Sequence, residues 1–136
     1  MHVSAKVDYA VRALLLLAAR APALVTVETL SSEQDLPRDY AEGILNDLRK
    51  HGYVVSKRGA GGGYSLARAA SSIPVGEVVA ALEGPFVTVR AAPVSSLAYE
   101  GVAQHVPALW DTVDARLHSV LDEVSLDDLL AGRIPA

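Results

Sequence analysis

The chain has 136 residues, of which 51% are hydrophobic and 21% charged, a composition typical of one globular domain or of one domain with an accessory element. It has no cysteine, which excludes disulfides, a cysteine nucleophile, and zinc or iron–sulfur sites built on cysteine ligands. The longest apolar run, residues 13–19, is shorter than the ~20 residues that a membrane span requires. Because Asp8 and Arg12 interrupt the apolar core that a leader peptide would need, we expect a cytoplasmic protein with no membrane partner.

The net charge of −4 is distributed unevenly along the chain. Residues 1–72 carry nine Lys/Arg and seven Asp/Glu, whereas residues 73–136 carry three and nine. Residues 48–72 contain five basic residues and no acidic one. A local basic patch attracts polyanions whatever the sign of the whole protein, so this segment is a candidate nucleic-acid contact. A solvated basic turn is the alternative interpretation.

Three helices are predicted in the first part of the chain. Residues 4–20 have helical apolar spacing with Ser4 as N-cap, residues 26–34 form a short helix with Thr26 as N-cap, and residues 37–50 form a third. The expected apolar face of the first helix is Val7, Ala10, Val11, Leu14, Leu15 and Ala18. On the third helix we expect Tyr40, Ile44, Leu45 and Leu48 to face inward. A short helix, a tight turn and a polar-faced helix are typical of a helix-turn-helix.

A glycine-rich hairpin follows the third helix. Residues 53–57 and 64–67 are short β-rich runs, and residues 58–63 between them contain four glycines after Arg58. A phosphate-binding enzyme loop is the competing interpretation, but the Gly-Lys-Ser/Thr ending is missing and no helix begins there. Because glycine lets a backbone approach its partner closely, a DNA-contacting wing is favoured over a plain hairpin.

Helical patterns predominate in the second half of the chain. Residues 73–83 predict a helix, residues 85–101 an irregular segment, and residues 103–123 the longest amphipathic helix. A last short helix, residues 126–130, has Ser125 as N-cap. The long helix has little of its own domain to pack on, so pairing with a second copy of the chain is the economical arrangement. The expected dimer interface is Leu109, Val113, Leu117, Val120 and Leu121.

The elements together predict a mostly α fold with a small β-hairpin wing. A winged helix-turn-helix domain for DNA binding is expected over residues 1–84 and a loop or linker over residues 85–101. Residues 102–136 are expected to form a long C-terminal dimerisation helix and a C-terminal short helix.

Five stretches of the chain carry a recognisable combination of motifs. They are residues 8–14 (Asp8-Tyr9-Ala10-Val11-Arg12-Ala13-Leu14), 44–52, 73–84 and 109–129 and, most specifically, the wing sequence Arg58-Gly59-Ala60-Gly61-Gly62-Gly63-Tyr64-Ser65-Leu66. In this order they resemble the Rrf2 family of bacterial winged-helix transcription regulators, and the resemblance covers nearly the whole chain.

The resemblance implies a homodimeric DNA-binding regulator, most simply a repressor, that binds a palindromic double-stranded operator. By position Glu42 matches a base-reading residue of the family, and Arg58 matches the wing arginine that enters the minor groove. The chemistry agrees, since a carboxylate accepts from cytosine and arginine suits a narrow minor groove. The DNA-contacting residues expected on this basis are Arg38, Asp39, Tyr40, Glu42, Asn46, Arg49, Lys50, Lys57, Arg58, Gly61, Gly62 and Tyr64.

One departure from the family concerns its cofactor. Many members hold an iron–sulfur cluster through three cysteines after the Leu82-Glu83-Gly84 segment, and here residues 86–107 contain none. Asp8 matches an acidic ligand of some relatives, but we expect it to pair with Arg12 one turn along the helix. The four histidines have no metal-ligand spacing. The chain is therefore expected to use no cluster, metal or other cofactor.

Control by a small-molecule effector is a further hypothesis. The expected pocket lies at the junction of the 85–101 segment with the long helix, and its candidate walls are Phe86, Leu97, Tyr99 and Trp110. The alternative is that these side chains only complete the core. For the whole protein, the alternative function is a winged-helix protein–protein adaptor that has lost DNA binding. An enzyme is not expected, because no catalytic or metal-ligand motif is present.

Overall fold

The computed structural model describes residues 2–136, and over them it confirms a mostly helical fold with a small antiparallel wing. The helices are α1 (Ala5–Arg20), α2 (Val27–Gln34), α3 (Arg38–Lys50), α4 (Val75–Leu82), α5 (Val106–Asp122) and α6 (Leu126–Ala131). The strands are β1 (Val54–Lys57), β2 (Gly63–Leu66), β3 (Thr88–Val89) and β4 (Ala92–Pro93), paired as β1–β2 and β3–β4.

Helix α1 is the centre of the core. It contacts α2, α3, α4, α6 and β2, and its residues Ala10, Ala13 and Leu14 are fully buried. Its N-terminus is capped as predicted, because Ser4 Oγ accepts from the Val7 N–H at 3.2 Å. The apolar face predicted for α1 is narrower than the buried surface that the structure shows. Leu16 and Leu17 are buried while Val11 and Leu15 are only half-buried, because a helix with neighbours on several sides buries more than one stripe.

Helices α2 and α3 form the helix-turn-helix. Thr26 caps α2, and Asp35 ends it in the left-handed region at φ 52°. The buried face of α3 consists of Ala41, Ile44, Leu45 and Leu48. Tyr40, predicted to face inward, is 45% exposed, because Ala41 takes the inward position one residue along; the Tyr40 ring packs edge-on against Tyr9 at 5.4 Å.

Residues 54–66, called the wing from here on, pair from Val54↔Leu66 to Lys57↔Gly63. The wing is anchored at its base by two backbone hydrogen bonds, from Val25 N to Tyr64 O (2.9 Å) and from Tyr64 N to Val25 O (2.8 Å). Gly63 adopts φ 150°, and a Cβ there would lie 2.7 Å from the Val25 carbonyl oxygen. Only glycine permits this approach, so the sequence of the wing fixes its position beside α2.

Residues 85–101 are more ordered than predicted. They contain the β3–β4 hairpin and a 3₁₀ turn over Val94–Ser96. The two residues at the tip of this hairpin, Arg90 and Ala91, have φ values of 51° and 64°. This hairpin was not predicted from the sequence, because such turns normally use Asn-Gly or Asp-Gly, which tolerate the left-handed region better than Arg-Ala.

The two C-terminal helices differ in burial. Helix α5 has no buried residue, whereas Val124 and Leu126 are buried in the core that α1 organises. Backbone hydrogen bonds from Val75 N to Val124 O (2.7 Å) and from Leu126 N to Ile73 O (3.0 Å) join the start of α6 to the start of α4. Residues before position 84 and after position 102 thus pack in one core, and the expected division at these positions stays a prediction.

A capping box holds the start of α6. Ser125 Oγ accepts from the Asp128 N–H at 3.0 Å, and an Asp128 carboxylate oxygen accepts from the Ser125 N–H at 3.0 Å. This hydrogen bond and the Arg133 guanidinium hold the pKa of Asp128 below its ordinary value. The cap that the sequence predicted at Ser125 is confirmed, and Leu126, the first residue of α6, is fully buried.

We expect Ser125→Ala to lower the free energy of unfolding by about 1 kcal/mol, because one donor at the start of α6 loses its acceptor. Urea unfolding followed by circular dichroism measures the change. Ser96→Ala is the matched control, since its hydroxyl bonds only to the Pro93 carbonyl on an exposed turn. Equal stability losses in the two variants would contradict a special role for the cap.

Candidate nucleic-acid interface

A cleft of about 440 Å³ lies between α3 and the wing. Its α3 side presents Arg38, Glu42, Asn46 and Arg49, and its wing side presents residues 56–59 and 62–64. The residues that begin α2, 26–28, close one end. Of the predicted DNA-contacting residues, the cleft brings together Arg38, Glu42, Asn46, Arg49, Lys57, Arg58, Gly62 and Tyr64.

Four of the five cations that line or adjoin this cleft form no ion pair, the exception being Arg38. Across residues 2–136 the Lys and Arg side chains that make no ion pair are Arg49, Lys50, Lys57, Arg58, Arg90 and Arg116. The first four are exposed and lie at the end of α3 or on the wing. Arg49 is oriented by the Asn46 side-chain oxygen, which accepts from it at 2.8 Å. Unpaired cations on one face give the positive potential that a phosphate backbone requires.

The wing tip consists mostly of backbone. Gly59 and Gly61 have φ values of 91° and 73°, and nothing lies within 4 Å of a Cβ built on either residue. At Gly62 a Cβ would lie 2.2 Å from the Lys57 carbonyl oxygen, so only glycine closes the turn. The tip is therefore thin, with Lys57 and Arg58 as its long cationic side chains, a shape that suits a narrow groove.

Arg38 at the start of α3 is held by two carboxylates. Its Nε and Nη2 donate to Glu28 Oε1 at 3.2 and 2.8 Å, and its Nη1 donates to Glu42 Oε2 at 3.3 Å. The hydrogen bond with Arg38 holds the pKa of Glu28 below its ordinary value. Sequence reasoning missed Glu28, because its pairing with Arg38 joins two helices. The i,i+4 spacing of Arg38 and Glu42 indicates only the pair within α3.

Four predicted contact residues lie outside the cleft. Asp39 and Tyr40 line a separate shallow groove with Lys6 at the junction of α1 and α3. Lys50 is exposed at the last position of α3, and Gly61 is at the wing tip.

The ion pair predicted between Asp8 and Arg12 on α1 is confirmed, since Arg12 Nη1 lies 3.4 Å from Asp8 Oδ2. The Arg12 guanidinium also donates to the Gln34 carbonyl oxygen.

The predicted effector residues do not share one cavity. Phe86 lines an apolar groove of about 350 Å³ against α5 and stacks on His118 at 5.1 Å, while Leu97, Tyr99 and Trp110 lie outside that groove. The Phe86 and Val87 N–H groups donate to Asp114 Oδ1 at 2.7 and 2.9 Å, which ties this segment to α5. The effector pocket stays a prediction.

The predicted dimer residues form a partly exposed apolar stripe along α5. Leu109 and Val120 are 56% and 52% exposed, and Val113, Leu117 and Leu121 are half-buried. Leu117, Val120 and Leu121 also line the groove that contains Phe86.

No helix in the described part of the chain is long and apolar enough to cross a bilayer.

Comparison with known proteins gives a family match over residues 3–132, to the Rrf2 model, described as an iron-dependent transcriptional regulator. The residues present here do not fit an iron–sulfur cluster. The chain has no cysteine, and residues 2–136 contain no group of three His, Asp or Glu side chains placed to hold a metal ion.

Relatives and solved structures agree with the family model. The chain is 35% identical to the HTH-type transcriptional regulator IscR of Escherichia coli over 131 residues, covering 96% of this chain and 80% of the relative. The structure of T. potens IscR matches with a TM-score of 0.79 and 33% identity, covering 97% of this chain and 88% of the other. The structure of CymR, the global cysteine regulator of B. subtilis, matches with a TM-score of 0.79 and 29% identity, covering 96% and 97%. The chain belongs to the Rrf2 family of helix-turn-helix transcriptional regulators.

Proposed function

We propose that this DNA-binding regulator is a cytoplasmic homodimeric repressor that binds a two-fold symmetric operator without an iron–sulfur cluster. The observation that carries the proposal is the set of four exposed cations without ion pairs, Arg49, Lys50, Lys57 and Arg58, beside the cleft between α3 and the wing. A local patch of unpaired cations attracts polyanions even in a protein whose net charge is −4.

The cleft suggests how DNA is read. Helix α3 would enter the major groove with Glu42 accepting from a cytosine amine, while Arg58 on the wing would enter the minor groove. Arg49, Lys50 and Lys57 would contact phosphates between the two grooves and fix the register. Asp39, Tyr40 and Gly61, which lie outside the cleft, are weaker candidates for contact.

The dimer would form through α5. A 17-residue helix with no buried residue and an apolar stripe is unusual in a monomer, and the same stripe on a second copy is the complementary surface. Two winged domains joined in this way would read two half-sites. A dimer that occupies promoter DNA blocks polymerase without any further surface, which favours a repressor over an activator.

Arg58→Ala is expected to weaken operator binding and to reduce the slope of log K against log salt by about 0.9. The reason is that the variant loses one cation that would neutralise phosphate charge at the minor groove. The measurement is fluorescence anisotropy with a selected operator duplex between about 50 and 200 mM salt. Arg90→Ala is the control, since Arg90 is another exposed cation without an ion pair but lies on the β3–β4 hairpin. An unchanged affinity for Arg58→Ala would remove the wing from the mechanism.

Leu109→Asp and Leu117→Asp are expected to convert the dimer to monomer, because each places a charge in the apolar seam. Leu109 is 56% exposed, so its replacement leaves the fold of one chain intact, whereas Leu117 is half-buried. Sedimentation velocity gives the oligomeric state, with Val102→Asp, at a fully exposed position outside the stripe, as control. A Leu109→Asp protein that still sediments as a dimer would show that α5 is not the interface.

A further inference from the structure

Arg38 stands apart from the other cations of the cleft. Arg49, Lys50, Lys57 and Arg58 have no acidic partner, while Arg38 is bonded to Glu28 through two nitrogens and to Glu42 through a third. The three side chains together carry one net negative charge where the rest of the cleft is positive. All three guanidinium nitrogens of Arg38 thus donate to carboxylates.

The geometry makes Glu28 the dominant partner of Arg38. The Glu28 contacts, at 2.8 and 3.2 Å, include a shorter bond than the single Glu42 contact at 3.3 Å. Glu28 also belongs to α2, while Arg38 and Glu42 share α3. The bond therefore crosses the helix-turn-helix and sets where the Arg38 guanidinium lies beside Glu42.

This network contributes little to folding. The side chains of Arg38, Glu28 and Glu42 are 53%, 65% and 59% exposed, and ion pairs at such exposure add little to stability. All three line the cleft between α3 and the wing. The position of the network at the DNA-facing surface is thus better explained by binding than by stability.

We propose that Glu28 is a positioning residue that sets DNA discrimination, by holding Arg38 off the phosphate backbone and against the base-reading Glu42. The inference rests on the proposed function. With Arg38 held, the cations that drive affinity for any DNA are those of the wing and the end of α3, and Glu42 stays oriented toward a base. With Glu28 neutralised, Arg38 becomes one more mobile cation that binds phosphates of any sequence.

The test is Glu28→Gln, with binding to a selected operator and to a random-sequence duplex measured across salt concentrations. We expect affinity for the random duplex to rise about five- to tenfold at 0.1 M salt and the salt slope to steepen by about 0.9, as one added phosphate contact requires. The ratio of operator to random affinity should fall. Glu28→Asp, which keeps the charge, should show intermediate values.

The matched control is Glu33→Gln. Glu33 is also on α2 and is also paired with an arginine, Arg20 at 2.5 Å, but it does not line the cleft. The two substitutions change net charge equally, so Glu33→Gln controls for net charge, while the Arg38→Gln background controls for the loss of a negative charge inside the cleft. Equal thermal unfolding of the two variants would show that folding is not the cause.

A double-mutant cycle with Arg38→Gln tests whether Glu28 acts through Arg38. If Glu28 acts through Arg38, then Glu28→Gln changes neither slope nor ratio in the Arg38→Gln background. An equal effect in both backgrounds, or a Glu28→Gln protein that behaves like Glu33→Gln, would overturn the role of Glu28 while leaving the proposed function standing. A wild-type protein that binds no DNA would overturn both.

Discussion

The backbone pairing between Val25 and Tyr64 holds the wing against the residue that precedes the helix-turn-helix, and the cleft depends on it. Gly63 makes this approach possible, since any side chain there would meet the Val25 backbone. Beneath the wing Tyr53 is buried, and this burial raises its pKa to about 12. With the wing docked at its base, the spacing between α3 and Arg58 is set before DNA arrives. Preorganisation of this kind lowers the ordering cost of binding.

Charged residues are distributed unevenly over the protein, and the net charge does not describe the surface beside the cleft. The acidic residues of the second half of the chain give the net charge of −4, while four of the six cations without an ion pair in residues 2–136, Arg49, Lys50, Lys57 and Arg58, lie beside the cleft. Arg20, Arg68 and Arg133, in contrast, are each paired with an acid and tie elements of the fold together. The same residue type is therefore paired with acids where it joins elements of the fold, and is unpaired at most positions beside the cleft, where we propose that DNA binds.

Local features of the fold were predictable from sequence because local chemistry determines them. The caps Ser4, Thr26 and Ser125 and the glycine hairpin each depend on side chains within a few residues of one another. Features that depend on tertiary contacts could not be predicted in this way. Tyr40 is 45% exposed because Ala41 takes the buried position one residue along, and the partnership of Glu28 with Arg38 joins two helices. The predicted third helix and wing together supplied eight of the residues that line the cleft, but the difference between an arginine with and without a carboxylate partner required the structure.

The most direct test of the account is selection of bound duplexes from a random library by the purified protein at moderate salt. Two winged domains joined through α5 should recover a two-fold symmetric motif whose half-sites lie about one helical turn, 10–10.5 base pairs, or a multiple of it apart. Recovery without any added iron source would fit a regulator that lacks cluster ligands. An asymmetric single site, or no enrichment over the starting library, would contradict the account of a dimeric operator-binding protein.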